Sequence, residues 1–329
     1  MSMRTPITLL AATSLTLTAG VASAFEPSES VEFIAPANPG GGWDTLVRTS
    51  SRVIQEEGLA DEEFAPINTP GGGGAVAWSQ IAKREGDAHT LFATSPPIIL
   101  VPLTESSRYD HNDFTPIARL STDYATVLVA DDSDYEDIND LLDAMEEDPG
   151  LSVGGGSAPG SMDHIAMAGL ADAAGLDASS VNYVPFSGGG DAMTNLMGGH
   201  VEAVVTGAGE AVGQIEDDDS DVRALGVSSS DRLGGSLGDV ATFEEQGVDY
   251  TFDIWRGVMG PPDMPEDAVT YYQDLFKEML ETDRWAEERD KLGWIDAYQG
   301  SEEFGEFLDS QADEFSGILG ELGLLDEES

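Results

Sequence analysis

Glycine is gathered where a chain of alternating strands and helices has to turn. Gly40-Gly41-Gly42, Gly71-Gly72-Gly73-Gly74, Gly154-Gly155-Gly156 with Gly160, and Gly188-Gly189-Gly190 hold fourteen of the 38 glycines. Each cluster follows a short apolar run that reads as a strand and precedes a stretch of helical periodicity. In an open α/β sheet such turns lie at the carboxyl edge of the strands, where ligands bind. Glycine lets the backbone turn tightly and come close to a ligand. The helix that follows offers unpaired N–H groups and the positive end of its dipole. One cluster alone would be a tight turn and nothing more. Four at equivalent positions, in two segments able to face each other, point to an anion site made of main chain.

The remaining pattern agrees with α/β architecture. Strands are predicted over 31–35, 64–67, 89–93, 126–130, 151–153, 181–184, 203–206 and 223–227, and helices over 44–57, 75–84, 138–145, 162–174 and 191–197. The first helix places Val47, Ser50 and Ile54 on one face and stops at Gly58. Near the end, Pro265 opens a helix in which Val269, Tyr272, Phe276 and Met279 recur at spacings of three and four. Further helices follow over 284–291 and 302–318. No fixed-period repeat is present, which excludes a solenoid or propeller. The 329 residues suffice for about two domains.

Charge makes an anion site a puzzle. The chain has 63 Asp and Glu against 14 Lys and Arg, a formal net charge of −49. No basic face can be assembled for nucleic acid, and docking on anionic lipid is disfavoured. Backbone amides resolve the conflict, because they supply local positive potential without a basic side chain. The acids are spread along the chain, as in Asp131-Asp132-Ser133-Asp134 and Asp326-Glu327-Glu328. Their repulsion weakens the compact state in dilute buffer and nearly vanishes at about 1 M salt, where the Debye length is ~3 Å. The acidity therefore reads as halophilic adaptation. A calcium loop fits less well, because Asp137 follows Asp132-x-Asp134-x-Glu136 where glycine is needed. With no cysteine, disulfides, thiolate catalysis, cysteine-ligated zinc and a lipid-bearing N-terminal cysteine are all excluded.

The first 24 residues read as an export signal: Arg4, an uncharged stretch from Ile7 to Val21, then Ala22-Ser23-Ala24 before Phe25. The expected location is the periplasm. Cleavage would remove one positive charge and leave the remaining chain still more acidic.

Other chemistries are weakly signalled. No phosphate-binding G-x-x-x-x-G-K-[ST] occurs, and Gly207-Ala208-Gly209 follows a strand without completing a dinucleotide fingerprint, the third glycine falling at Gly213. Gly156-Ser157-Ala158-Pro159-Gly160 surrounds a serine with glycine but is not G-x-S-x-G. His164 stands on the first turn after it, as a wall of the cleft or as a cap. Asp44 opens the first helix, where an acid is favoured by the dipole, and Trp43 is either an aromatic wall or core. Thr94 and Ser95 end a strand and offer hydroxyls. Arg256, scarce as a cation, is read as a structural partner for surrounding acids rather than for ligand.

Five segments carry a family resemblance: Pro36-Ala37-Asn38-Pro39-Gly40-Gly41-Gly42-Trp43-Asp44, Asn68-Thr69-Pro70-Gly71-Gly72-Gly73-Gly74, SVGGGSAPGSMDH from Ser152 to His164, Tyr183-Val184-Pro185-Phe186-Ser187-Gly188-Gly189-Gly190-Asp191, and Trp255-Arg256-Gly257-Val258-Met259-Gly260-Pro261-Pro262. In order and spacing the chain resembles the substrate-binding receptors of tripartite tricarboxylate transporters, the Bug-type family. The second loop departs from it by carrying Gly73 where many relatives have Ala-Gly. The resemblance implies an α/β, two-lobed periplasmic-binding fold of type II with two crossovers, lobe one holding 25–124 and 228–329 and lobe two 125–227. It implies a hinge-closing receptor without a cofactor, acting as a monomer, that holds an organic carboxylate and delivers it to membrane permease subunits. Its Gly-Gly-Gly-Trp-Asp first loop resembles the citrate-type receptors more than members with other residues before the Asp.

The residues expected to face that ligand are Asn38, Pro39, Gly40, Gly41, Gly42, Trp43 and Asp44 in the first loop, and Gly72, Gly73, Gly74, Thr94 and Ser95 after the next two strands. In the other lobe they are Gly156, Ser157, Ser161, His164, Phe186, Ser187, Gly188, Gly189, Asp191 and Gly207. The alternative is a secreted serine hydrolase using Ser157 with His164.

Overall fold

A computed structural model describes residues 25–104, 107–216, 221–321 and 323–325. The export segment lies outside the described residues, as do the acidic runs Asp217-Asp218-Asp219 and Asp326-Glu327-Glu328. The first part of the chain runs β1 (Val31–Ala35), α1 (Gly42–Glu57), β2 (Phe64–Asn68), α2 (Ala75–Ile81), β3 (Thr90–Thr94), α3 (Pro97–Leu103) and the long β4 (Thr115–Ala130). The middle runs α4 (Ile138–Glu147), β5 (Ser152–Gly155), α5 (Met162–Ala173), β6 (Asn182–Pro185), α6 (Gly189–Met197), β7 (Ala203–Gly207), α7 (Ala208–Ile215) and β8 (Val222–Val227). The last part adds β9 (Asp253–Gly260), α8 (Glu266–Leu280), α9 (Asp283–Lys291), β10 (Ile295–Gln299) and α10 (Ser301–Glu321).

The strand order is β2-β1-β3-β9-β4-β7-β5-β6, with β8 and β10 also paired to β4. β1 pairs in parallel with β2 and β3, and β5 in parallel with β6 and β7. β9 is antiparallel to both β3 and β4, and β7 is antiparallel to β4. The two parallel triplets therefore run in opposite directions. β4 serves both: Thr115 to Tyr124 pair with β9, and Ala125 to Leu128 with β7. Gly207, the last residue of β7, lies opposite Ala125, so the carboxyl ends of both triplets point at the middle of β4.

Local chemistry explains most of these elements. Val31, Phe33, Ile34 and Ala35 of β1 are buried because helices cover both sheet faces. Pro66 is tolerated because β2 is an edge strand. Val47, Ser50 and Ile54 of α1 are buried, and Gly58 closes the helix at φ 65°. In α8 the predicted stripe buries Tyr272, Phe276 and Met279 and half-buries Val269, and the Tyr272 hydroxyl donates to the Ala88 carbonyl at 2.6 Å. Among the described residues no helix is long and apolar enough to cross a membrane.

Candidate functional site

The glycine turns share one cavity of about 580 Å³ at the middle of β4. The loop after β1 contributes Pro36, Ala37, Asn38, Gly41, Gly42 and Trp43, and the turn after β2 contributes Pro70 to Gly73. Ser95 and Pro97 follow β3. From the opposite triplet come Gly156 to Pro159, Ser161, Met162 and Asp163 after β5, and Pro185 to Gly189 after β6. Glu210 of α7 and Arg256 of β9 complete the wall.

Acids on the first turns of the helices hold the loops in place. Asp44 accepts from the Gly40 amide at 2.9 Å, from Arg48 Nε at 2.8 Å and from Asn68 Nδ2 at 2.9 Å. Burial alone would raise its carboxyl, but Arg48, Gly40 and Asn68 outweigh burial and hold it below its ordinary value. Asp191 repeats the arrangement, accepting from the Ser187 amide at 3.3 Å. In the third loop His164 takes the same place, its Nδ1 accepting from the Gly160 amide at 2.8 Å while its ring stacks on Tyr183 with centroids 4.7 Å apart. Burial lowers the His164 pKa, so the neutral ring that this bond requires is favoured. Ser157 Oγ accepts from the Asp163 amide at 2.9 Å, and its carbonyl accepts from the Tyr183 hydroxyl at 2.8 Å.

The predicted residues sort accordingly. Asn38, Gly41, Gly42, Trp43, Gly72, Gly73, Ser95, Gly156, Ser157, Ser161, Phe186, Ser187, Gly188 and Gly189 line the cavity. Asp44, His164 and Asp191 lie behind it as loop supports, and Pro39 and Gly40 are outside the lining. Thr94 is fully buried in β3. A side chain on Gly74 would enter the Trp78 ring, and one on Gly207 would meet Asp123 and Arg256, so those glycines serve packing. Trp43 is both wall and core: its indole donates to Ser95 Oγ at 2.9 Å and packs edge-on to Trp78.

Two crossings of the cavity join the triplets. The Gly42 amide donates to Glu210 Oε1 at 2.8 Å, and the Asn38 side-chain amide donates to the Ser187 carbonyl. Close approach, not an unusual φ, demands glycine here. A Cβ on Gly42 would lie 2.3 Å from Arg256 and 2.8 Å from Glu210, and one on Gly156 would lie 2.4 Å from the Gly189 nitrogen. Because that last contact is backbone against backbone, Gly156→Ala is expected to lose about 1–3 kcal/mol of stability by urea denaturation. An unchanged midpoint would show that the two loops are not packed this way.

Sequence reasoning missed Glu210 and Asp163 as site residues. Asp163 sits inside the SMDH segment and Glu210 three residues past Gly207, each on the first turn of a helix after a glycine turn, which was the available signal. Arg256 does pair with an acid, Asp123, with both side chains almost fully buried, and it also faces the cavity. Its guanidinium lies 5.1 Å from the centre of the Trp294 ring. Burial pushes the Asp163 carboxyl up to about 7, the Glu210 charge adding to the rise and the Ser157 hydroxyl and loop amides opposing it. Burial also raises Glu210, against the pull of Arg256 and the Gly42 amide.

Comparison with known proteins agrees with the architecture. The family described as the tripartite tricarboxylate transporter family receptor matches residues 56–324. The UPF0065 protein of the tcbD-tcbE intergenic region of Pseudomonas sp. strain P51 is 30% identical over 252 residues, covering 74% of this chain and 71% of that protein. A Rhodopseudomonas palustris protein solved with adipate, Rpa4515, superposes with a TM-score of 0.82 at 22% identity, covering 91% of this chain and 99% of its own. MatC of the same organism, solved with malate, gives 0.77 at 21% identity, covering 89% and 99%. The α/β, two-lobed fold of the periplasmic solute-binding proteins is the fold found here. By the extent of the match and the identity to its relatives, the chain belongs to the tripartite tricarboxylate transporter receptor family.

Proposed function

We propose that this chain is an extracytoplasmic receptor that captures an organic carboxylate between its lobes and delivers it to the permease subunits of a tripartite transporter. The observation that carries the reading is the convergence of glycine turns from oppositely directed triplets on one cavity. Loop and helix-start amides there can meet carboxylate oxygens from two sides. Malate and adipate in the related R. palustris proteins support a carboxylate of this size. The division we propose follows β4: residues 25–124 with 228–329 form one lobe and 125–227 the other, since β4 changes partners between Tyr124 and Ala125 and β8 ends at Val227. Contacts such as Gly42 to Glu210 require the lobes to be together, and closure over ligand supplies the differential energy for a hinge motion. The ligand-facing set is the cavity lining, with Asp44, His164 and Asp191 holding the loops. The leading segment 1–24 supports export to the periplasm.

Calorimetry of the chain in molar salt, against citrate, tricarballylate, malate, succinate, glutamate and aromatic acids, tests the reading. At least one acid is expected to bind; no binding across a broad acid library overturns it. The charge of −49 supports halophilic adaptation and sets a second expectation. The thermal midpoint should fall steadily as NaCl is lowered from about 1 M to 0.1 M, because the Debye length grows from ~3 to ~10 Å. A midpoint indifferent to salt would remove the halophilic reading.

A further inference from the structure

The cavity carries more negative charge than an anion receptor needs. Among the described residues lining it, Arg256 is the one cation. Asp123 pairs with Arg256 and also accepts from the Tyr124 amide at 2.8 Å and the Gly209 amide at 3.2 Å, while the Arg256 charge acts on Glu210 as well, so one cation is shared among several acids. Half-buried Glu210 and buried Asp163 both face the cavity, and the Glu210 charge acts on Asp163. Each sits against glycine main chain: a Cβ on Gly189 would lie 2.2 Å from Glu210 Oε2, and one on Gly155 would lie 2.8 Å from the Asp163 Cβ. Their hydrogen-bond donors are dipoles that carry no full charge, the Gly42 amide and the Thr206 hydroxyl for Glu210 and the Gly156 and Ser157 amides with the Ser157 hydroxyl for Asp163. Ser161 Oγ, 1% exposed and on the cavity wall, has no hydrogen-bond partner among the described residues, and neither has Arg256 Nε. Tyr183, the other titratable group against Ser157 and Asp163, is kept neutral by burial and adds no positive charge.

A fully ionised tricarboxylate would meet two acids of its own sign, with a single cation already shared between Asp123 and Glu210 beside them. Resting on the carboxylate-receptor reading above, we propose that Glu210 and Asp163 form a cation-accepting corner, so that the receptor takes carboxylates bearing a protonated amine, that is amino acids, ahead of the amine-free acid of the same length and ahead of citrate. The ligand carboxylate lies on the glycine-turn amides, its ammonium donates to Glu210 and Asp163, and Ser161 offers a hydroxyl to the same group.

Matched pairs that differ only in the amine test this: aspartate with succinate, glutamate with glutarate, and 2-aminoadipate with adipate, titrated into the full chain by calorimetry in molar salt at pH 7.5. In each pair that binds, the amino member is expected to bind about ten- to a hundredfold tighter, the worth of a charge-assisted hydrogen bond. Glu210→Gln should shrink that ratio about tenfold, and Asp163→Asn should act in the same direction; circular dichroism confirms that each variant is folded. The wild-type ratio needs no variant, so a misfolded one does not spare the proposal. Tighter binding of the amine-free members, or ratios left unchanged in folded variants, overturns it. So does an amine-free acid bound with uptake of a proton, read from the dependence of the heat on buffer ionisation, because a shared proton would then balance the acids. Failure of every acid to bind would instead remove the receptor reading itself.

Discussion

Arg256→Met is expected to cost about 3–5 kcal/mol of stability, because it leaves Asp123 charged and buried without its cation. Asp123 is 0% exposed and Arg256 2%, so solvent does not screen the loss. The Tyr124 and Gly209 amides remain, but they are dipoles and do not neutralise the charge. The pairing joins β4 to β9 at the point where β4 exchanges partners, so the effect should be global rather than local. Urea unfolding in molar salt measures it. The double variant Arg256→Met with Asp123→Asn should recover most of the loss, since a buried ion pair is worth far less than the penalty of breaking it on one side. A single variant within about 1 kcal/mol of the parent would mean that water reaches Asp123 and the pair is not sealed.

The second large effect is a pH dependence carried by Asp163. Its folded-state pKa lies above the unfolded one, 3.8 rising to about 7, so the folded state binds more protons than the unfolded state between those values. Stability from this group therefore falls as pH rises through that window and is fully lost above it. At about 1.4 kcal/mol for each pH unit between the two values, the loss is at most roughly 4 kcal/mol. The many surface acids also titrate there, and comparison with Asp163→Asn cancels them. The stability of the variant relative to the parent should be greatest at pH 8 and decline by about 2–4 kcal/mol as the pH is lowered to 4. A gap constant with pH would show that Asp163 ionises freely in the folded protein. The experiment is done without ligand, because a bound ammonium would restore the charge and flatten the profile.

Elements whose signal is local were legible before any coordinates. The glycine turns, the α1 face of Val47, Ser50 and Ile54, and the α8 stripe through Tyr272 and Met279 each depend on a dozen neighbouring residues. α3 was not legible: Pro97–Leu103 is apolar on every side, with Pro97 to Val101 buried, so it has no polar face to reveal a helical period. The strand predicted over 126–130 is the last third of β4; Pro116, Arg119 and the register shifts against β9 break its alternation, and its polar Ser121, Thr122 and Asp123 are buried. β9 mixes Arg256 and Gly257 into an apolar run for the same reason. The site divides similarly. Glycine loops announce a backbone cradle, but the charge balance inside it depends on Asp123, Asp163, Glu210 and Arg256, residues brought together across 133 positions of sequence that no local pattern connects.

The position of β9 sets the order in which the molecule can be completed. β3 and β4 are consecutive strands, yet each pairs with β9 and not with the other. As the chain emerges amino end first, β1 to β3 can assemble but must keep one flank of β3 open, and an open flank is a template for foreign strands. The middle segment from β5 to β8 meets its partners with no such wait. The wedge arrives only after some 150 further residues have appeared. The amino-terminal part of the molecule is thus the first to be made and the last to be finished, and its vulnerable interval is the time taken to thread the stretch between.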